Sequence, residues 1–563
     1  MRGSLGQLFD RVIADPTSPD APLLAQAVFA ELERRARPTR VHRERLTKHA
    51  VLWWSLGFGP RGRAVLQRWR RDDPQNRELR LAETHFVVRT APPQAAARFA
   101  DVRDAPAAAL AVIHLVLAGE PEAALAHARA QRWFATRRDL AHVLMFIGWA
   151  LGLTASPDGE RVLAMWKRHA AGDPEWLHHV LKAEAEIAMH ACQYPRELQA
   201  LRAAHALCID HELGMQRVAV EVTLPCAFSH NADLAAARAV MKRWSAPALD
   251  YTPLDAGHDL ARAEIELIAG RWDDSERAAR RALAFFATAD LAFHSCMAAT
   301  FVALAAARSR FTRALAELRR IVHRVSVPFY RERYQLLERL AARGMLSVRD
   351  AVFTERTRFD RRPTTFAHVL YPRAESIAAD IYWDRVQQRL WLRGRGPYSL
   401  DDHPIVARML EAIVAADELT IPLATLFELV WRAPYQPLIH ENKAHVTLHR
   451  LRTWLDAHHK GIGRAVLVRD GIVSIAEDIE VVVLEPPANV GEQADGASLH
   501  DRIVAALDED SPLSARELQH RLGISRSALN QATRVLLDAG RIACSGQGRA
   551  LLYSTMGPDS SRV

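Results

Sequence analysis

Six copies of one phrase, a turn followed by an alanine-rich amphipathic helix, run through the first two-thirds of the chain. They begin at Gly119 (GEPEAALAHARA), Ser156 (SPDGERVLAMWKRHA), Gln193 (QYPRELQALRAAHAL), Asn231 (NADLAAARAVMKRW), Gly270 (GRWDDSERAARRAL) and Ser309 (SRFTRALAELRRI). With Pro121, Asp158, Tyr194, Asp233, Trp272 and Phe311 as anchors, the spacings are 37, 36, 39, 39 and 39 residues. A near-constant period in this range marks stacked helix pairs, because one pair cannot bury its apolar face alone and each pair covers the next. In four copies a small residue (Ala124, Ala236, Ser275, Ala314) stands three places after the anchor, where it lets paired helices approach closely. An array over residues 91–350 follows, with a curved surface for a protein or peptide partner.

Within the array, Gly270-x-Trp272-x-x-Ser275 followed by Ala278 and Ala282 resembles a tetratricopeptide repeat. The resemblance runs from about Ala91 to Arg343 with drifting period, and it is similar to the degenerate repeats of large bacterial transcriptional regulators. It implies a sensing or partner-binding region. Residues 1–90 are helical in pattern but off the repeat, and read as a cap on the array. Their arginines (Arg34, Arg35, Arg37, Arg40, Arg43, Arg45, Arg68, Arg70, Arg71) are expected on solvated helix faces with neutralising partners.

A chain of 563 residues exceeds what one core can fill, so several domains are expected. The apolar fraction of 49% and charged fraction of 25% are those of a soluble globular protein, which excludes fibrous and disordered classes. A net charge of +8 makes polyanions plausible partners. Five cysteines (Cys192, Cys208, Cys226, Cys296, Cys544), none in a Cys-x-x-Cys pair, argue against a disulfide framework or a zinc ribbon and for a reducing cytoplasm. The N-terminus lacks the apolar stretch of a signal peptide. The longest uncharged apolar run, Ala141 to Ser156, is shorter than the ~20 residues a bilayer requires. No membrane association is expected.

A second pattern begins past residue 377. Arg349 to Arg362 (RDAVFTERTRFDRR) reads as a link from the array. Ile381 to Arg393 alternates like short strands, and Gly394-Arg395-Gly396-Pro397 breaks the alternation. Three helices follow: one from His403 with Pro404 in its first turn, one from Ile421 to Trp431, and one from about Glu441 to His458. On a wheel of the third, Ala444, Leu448, Leu451 and Leu455 form the apolar stripe. Asn442, Lys443, Val446, His449, Arg450 and Thr453 fall on the other side, and these are groove-reading residue types: Arg and Lys for guanine or phosphate, Asn for adenine, Val for a thymine methyl. Ala465 to Ala476 alternates around Asp470-Gly471, a two-residue hairpin signal, with Arg464 and Arg469 flanking it. Glu441 to Arg469 holds six Lys and Arg against two acidic residues, whereas Asp360 to Leu484 is balanced at 15 against 16. The positive charge is thus concentrated on the third helix and the hairpin. Glu441, His445 and His449 stand four residues apart on one side of the helix, which is too few ligands for a zinc site, and no metal is expected there.

Phe427, Trp431, Tyr435, Pro437 and Arg450-Leu451-Arg452, ahead of RDGIV, resemble the effector domain of the OmpR/PhoB response-regulator family over 377–485. The resemblance implies that Arg450 and its face meet duplex DNA and that the loop Arg432 to His440 can contact RNA polymerase. The chain departs from the family in having no strand–helix alternation to supply a phosphoacceptor domain, so the array takes the sensor position. It also departs in the wing, where Ile472-Val473 replaces the usual Gly-Tyr.

After a polar, Pro-containing linker (Leu484 to Asp495), residues 497–556 repeat the plan. Ser514 is a natural N-cap, Gly523 permits the turn, Ser525 caps the next helix and Gly540 ends it. Leu518, Leu522, Ile524, Leu529, Val535 and Leu536 fit buried positions, leaving Arg526, Ser527, Asn530, Gln531 and Arg534 for a groove. A hairpin turns around Gly546-Gln547-Gly548 with Arg549 on its return strand. The segment resembles the winged helices of MarR- or ArsR-like bacterial repressors.

No phosphate-binding Gly-x4-Gly-Lys-Ser/Thr loop, Gly-x-Ser-x-Gly elbow, His-Glu-x-x-His helix or dinucleotide fingerprint occurs, so neither an enzyme nor a cofactor is expected. The expectation is a mainly α protein: a tetratricopeptide-like solenoid followed by two α/β winged helix-turn-helix domains. It would act as a sequence-specific regulator on double-stranded DNA, with homodimerisation left open. The competing reading is a scaffold whose winged helices and repeats bind proteins.

Overall fold

The alanine-rich phrases form helices that stack in sequence, as their period requires. The computed structural model describes residues 4–16, 18, 20–35, 39–90, 105–170, 172–242, 251–342, 345, 347–400, 402–486, 503–504, 506–507, 511–522, 526–538, 541–546 and 552–555. The chain divides into two compact units, one of residues 1–341 and 346–486, the other of 342–345 and 487–563.

The first unit opens with α1 (Leu5–Ala14), α2 (Ala21–Arg34), α3 (Arg40–Lys48), α4 (Ala50–Ser55), α5 (Gly59–Asp72) and α6 (Arg77–Thr90). Phe9, Phe29, Trp53, Leu66, Trp69 and Phe86 make their core. The arginines of this region are largely matched. Arg34 and Arg35 pair with Glu31, Arg40 with Glu44, Arg45 with Asp10 and Arg70 with Glu83. Arg68 donates to the carbonyls of Leu32, Glu33 and Arg35, closing the C-terminal end of α2. Arg37 lies outside the described residues.

Among the described residues thirteen helices follow: α7 (Ala105–Ala118), α8 (Pro121–Ala130), α9 (His142–Leu153), α10 (Gly159–His169), α11 (Pro174–His190), α12 (Tyr194–Asp210), α13 (Gly214–His230), α14 (Leu234–Lys242), α15 (Pro253–Ile268), α16 (Trp272–Thr288), α17 (Ala292–Ala305), α18 (Arg308–Val322) and α19 (Pro328–Ala342). Five of the six anchors read from the sequence lie at or beside the start of an even-numbered helix, α8 to α16, and the sixth, Phe311, lies in the first turn of α18. Ala124, Ser275 and Ala314 are buried, and the Ser275 hydroxyl donates to the Ala263 carbonyl at 2.6 Å, so α15 and α16 meet closely there. In the copy at Asn231 the buried small residue is Ala237 rather than Ala236. There Asp233 accepts from the Ala236 amide as an N-cap, which starts α14 one residue later relative to the anchor.

Helices distant along the array also pack on one another. The Ser326 amide donates to the Gly119 carbonyl at 2.8 Å, joining residues 207 apart in sequence. Trp149 of α9 meets Phe293 of α17 edge-on at 5.0 Å, and α7 and α17 are apolar nearly all round and buried. The cap adds to this closure, with Arg217 of α13 paired to Asp15.

Among the described residues five more helices and nine strands complete the first unit: β1 (Phe353–Arg356), β2 (Arg361–Thr364), α20 (Phe366–Leu370), α21 (Ala374–Ala378), β3 (Ile381–Asp384), β4 (Arg389–Leu392), β5 (Arg395–Ser399), α22 (Pro404–Ala415), β6 (Thr420–Pro422), α23 (Leu423–Trp431), α24 (Pro437–His458), β7 (Val466–Arg469), β8 (Ile472–Ile475) and β9 (Val481–Glu485). One sheet has the order β2-β1-β9-β3-β4-β5, the other β6-β8-β7. Two expectations are corrected. The supposed link Arg349 to Arg362 supplies β1 and β2, because Phe353 and Glu355 alternate inward on a strand that pairs with β9. The alternation turns at Arg393-Gly394, both at positive φ, and resumes through Gly396-Pro397 as β5. Proline is tolerated there because β5 is an edge strand.

The array holds the sheet region through a buried polar clasp. His230 is 2.9 Å from Glu197 and 3.3 Å from Glu264. Tyr371, just past α20, donates its hydroxyl to Glu264, and its ring stacks on His230 at 4.7 Å. The Arg333 guanidinium lies 5.3 Å from the same ring. Burial disfavours the charge on His230, but the two carboxylates lift it to about 10. Burial likewise opposes ionisation of Glu264, yet hydrogen bonds from His230 and Tyr371 hold it down to about 2.

Other buried histidines shift the opposite way. Burial pushes His178 down to about 3 and His258 and His294 to about 4. These rings stay neutral in the folded state but charge in the unfolded chain below pH 6.5. Each therefore removes about 1.4 kcal/mol of stability per pH unit between 6.5 and its folded value. His230 has the reverse sign: its contribution is full below 6.5 and is lost as pH rises through about 10. We expect stability, measured by urea unfolding at fixed temperature, to peak near pH 6.5 and to fall more steeply on the acid side, where several rings act together. A second expectation concerns packing. A Cβ on Gly148 of α9 would lie 2.5 Å from the Ala183 Cα of α11. Gly148→Val should lower the unfolding free energy by about 1–3 kcal/mol through overpacking, read from the same urea curves.

Candidate nucleic-acid interface

Helices α22, α23 and α24 with the β7–β8 hairpin have the element order of a winged helix. Their shared core is Met409, Leu410, Ile413, Leu426, Phe427, Val430, Leu448, Leu451, Ile462 and Val473. Arg432 ends α23 in the left-handed region, its amide donating to the Glu428 carbonyl at 2.8 Å. Only residues 433–436 then connect α23 to α24, which begins at Pro437 rather than near Glu441. Proline suits the first helical position because its amide nitrogen has no proton to satisfy. His440 secures this turn: its ring stacks on Phe427 at 4.4 Å, and its Nδ1 accepts from the Gln436 amide at 3.0 Å. The segment expected as a loop to His440 therefore ends in helix, with Leu438 and Ile439 on its first turn.

The apolar stripe of α24 is as read from the sequence. Ala444, Leu448, Leu451 and Leu455 are buried, joined by Thr447 and Trp454. Thr447 satisfies its hydroxyl on the Lys443 carbonyl at 3.0 Å. Trp454 packs on His458 at 4.0 Å and edge-on to Tyr398 of β5 at 6.2 Å, fixing the far end of the helix to the sheet.

Asn442, Lys443, Val446, His449, Arg450 and Thr453 are all exposed. They share the face away from the core. The Lys443 ammonium lies 5.1 Å from the Trp431 ring and 5.8 Å from Phe427, so it leans toward α23. Thr453 donates to the His449 carbonyl at 2.9 Å. His445 is 3.8 Å from Glu441, and among the described residues no group of three His, Cys, Asp or Glu could hold a metal ion. Two residues of this face were not singled out in the sequence, Leu438 and Ile439. Pro437 was the available signal, since it marks where the same wheel must be extended backward.

The hairpin is tied to both helices. Arg452 donates to the Val466 carbonyl at 2.8 Å, and Asp456 accepts from the amides of Gly461 and Gly463 at 2.9 Å each. At its tip Asp470 and Gly471 both have positive φ, the conformation that a two-residue turn demands. The Gly471 carbonyl accepts from the Leu423 amide at 2.8 Å, so the tip is anchored to the start of α23. Arg464 and Arg469 are exposed.

The second unit contains β10 (Leu513–Ser514), α25 (Ala515–Leu522), α26 (Arg526–Asp538), β11 (Ile542–Ser545) and β12 (Leu552–Thr555), with strand order β10-β12-β11. Ser514 and Glu517 form a reciprocal cap: the Ser514 amide donates to the Glu517 carboxylate at 2.8 Å, and the Glu517 amide to Ser514 Oγ at 3.3 Å. Ile503, Leu507, Leu518, Leu529, Leu536, Ile542 and Tyr553 make the core. Asn530 and Arg534 of α26 are exposed. Arg526, Ser527 and Gln531 lie on the same helix, their side chains outside the description, as are those of Leu522 and Val535. Arg549, Gly523, Ile524, Ser525, Gly540 and the turn residues Gln547 and Gly548 lie outside the described residues.

Residues 500–543 match the family of winged helix-turn-helix DNA-binding domains. The chain thus carries a winged helix-turn-helix DNA-binding domain behind a mostly helical N-terminal region. No curated protein matches the chain. Among the described residues no helix is long and apolar enough to cross a membrane.

The capping pair sets the start of α25, so Ser514→Ala should destabilise the second unit by about 1 kcal/mol. Hydrogen exchange on the full chain should show faster exchange in α25 with that of α9 and α11 unchanged.

Proposed function

We propose that this protein is a sequence-specific transcriptional regulator acting on double-stranded DNA. The match of residues 500–543 to winged helix-turn-helix DNA-binding domains carries the reading. The exposed, cation-rich face of α24 and the flanking Arg464 and Arg469 support a second reader in the same chain. In this reading α24 enters a major groove, where Arg450 and Lys443 meet guanine or phosphate and Asn442 meets adenine. Arg464 and Arg469, flanking the β7–β8 turn, meet phosphate or the minor groove in the same reading. From α26, Asn530 and Arg534 act with Arg526, Ser527 and Gln531, and Arg549 serves the second wing. Two readers on one chain raise effective concentration at a composite site.

The first reader is of OmpR/PhoB type, the second MarR- or ArsR-like, and the array a tetratricopeptide-like region that takes a protein partner in a bacterial cytoplasm, with no catalytic activity. A homodimer would suit paired sites. The turn between α23 and α24 is the RNA polymerase contact by resemblance.

Binding of the full chain to random duplex between 50 and 200 mM salt tests the assignment. Counterion release predicts a steep fall in affinity with salt. Lys443→Ala and Arg450→Ala should each lower the slope of log affinity against log salt by about 1. Unchanged affinity and slope in both variants would remove α24 from the DNA-contacting set, and Arg534→Ala tests α26 in the same way.

A further inference from the structure

Three large apolar side chains stand in solvent on the reading face of α24. Leu438 is fully exposed, Ile439 is 68 % exposed and Val446 43 % exposed. At about 100° per residue they fall, with Asn442, His449 and Thr453, within one arc of about 100° opposite the buried stripe. They are not on a loose loop. His440, stacked on Phe427 and accepting from the Gln436 amide, fixes the first turn of the helix that carries them. Exposed apolar side chains lined up on a rigid element mark a surface that something covers.

We infer that Leu438, Ile439 and Val446 read thymine methyl groups in the major groove of the target duplex. The inference rests on the DNA-binding role proposed above for α24, and it adds a sequence preference to that role. Charge and spacing choose the occupant. A protein-binding patch has an apolar centre depleted in charge and hydrogen-bonding groups. Here Asn442 stands between Leu438 and Val446, and Lys443 and Arg450 are exposed on the same helix. From Glu441 to Arg469 six Lys and Arg face two acidic residues, which suits a polyanion. The C5 methyl of thymine is the apolar group that the major groove offers, and N-terminal residues of a reading helix are the ones that reach base edges.

The test uses the full chain and a pool of random 30-bp duplexes. Enriched duplexes are resynthesised with deoxyuridine in place of thymidine, which removes the C5 methyl and leaves the pairing edge intact. Binding by the unsubstituted protein should weaken about fourfold for each contacted methyl, the worth of one buried methylene-sized group. The double variant Leu438→Ala, Ile439→Ala should bind thymidine duplex more weakly and lose most of the difference between the two duplexes. Equal affinity of the unsubstituted protein for both duplexes, with binding and salt dependence retained, overturns the inference and leaves the DNA reading standing. A double variant that keeps the full thymidine preference also overturns it, and points to a protein on this face. Failure to enrich any sequence from the pool removes both the inference and the reading on which it rests.

Discussion

The protonated imidazole of His230, gripped by Glu197 and Glu264, is the interaction on which the arrangement of the first unit turns. A buried charge is tolerated only when paired and hydrogen-bonded, and removing one partner strands the other. Four elements meet at this point. Glu197 comes from α12, His230 from α13, Glu264 from α15, and Tyr371 from the segment between β2 and β3. The clasp thus converts an electrostatic requirement into geometry: the carboxylates are satisfied only when three array helices and the connecting segment are in register. Arg333 of α19, over the Tyr371 ring, adds a fifth.

Much of the architecture was legible because it is local. The anchors found the helix starts, since turn residues and small N-terminal residues act within a few positions of themselves. Asp470-Gly471 located the wing through its requirement for positive φ, and Ser514 located α25 through its cap. The buried stripe of α24 followed from helical periodicity alone. For the reading face, Asn442, Lys443, Val446, His449, Arg450 and Thr453 are where the wheel placed them, whereas what they contact is not a property of the wheel.

What escaped the sequence depends on partners distant along the chain. Arg349 to Arg362 carries arginines that read as linker, whereas its β1 is held in the sheet between β2 and β9, the latter more than a hundred residues further on. The closure of the array is set by Gly119 with Ser326 and by Trp149 with Phe293, pairs that no period reveals. The early start of α24 was a nearer miss. Pro437 announced it, but the stabilising stack of His440 on Phe427 joins two helices and is visible only in three dimensions.

The position of β9 has a consequence for how the first reader comes into being. This strand follows the wing in sequence yet lies between β1 and β3, antiparallel to one and parallel to the other. Until residue 485 has left the ribosome, β1 and β3 are edges without their shared neighbour, and the sheet that mounts the reader is a β1–β2 hairpin and a separate three-stranded meander, β3-β4-β5. Helices α22 to α24 and the wing are therefore a loop excursion enclosed by the sheet at both ends. Assembly of the reader is delayed until its last strand is made, by which time the whole array already exists as polypeptide and can fold ahead of it.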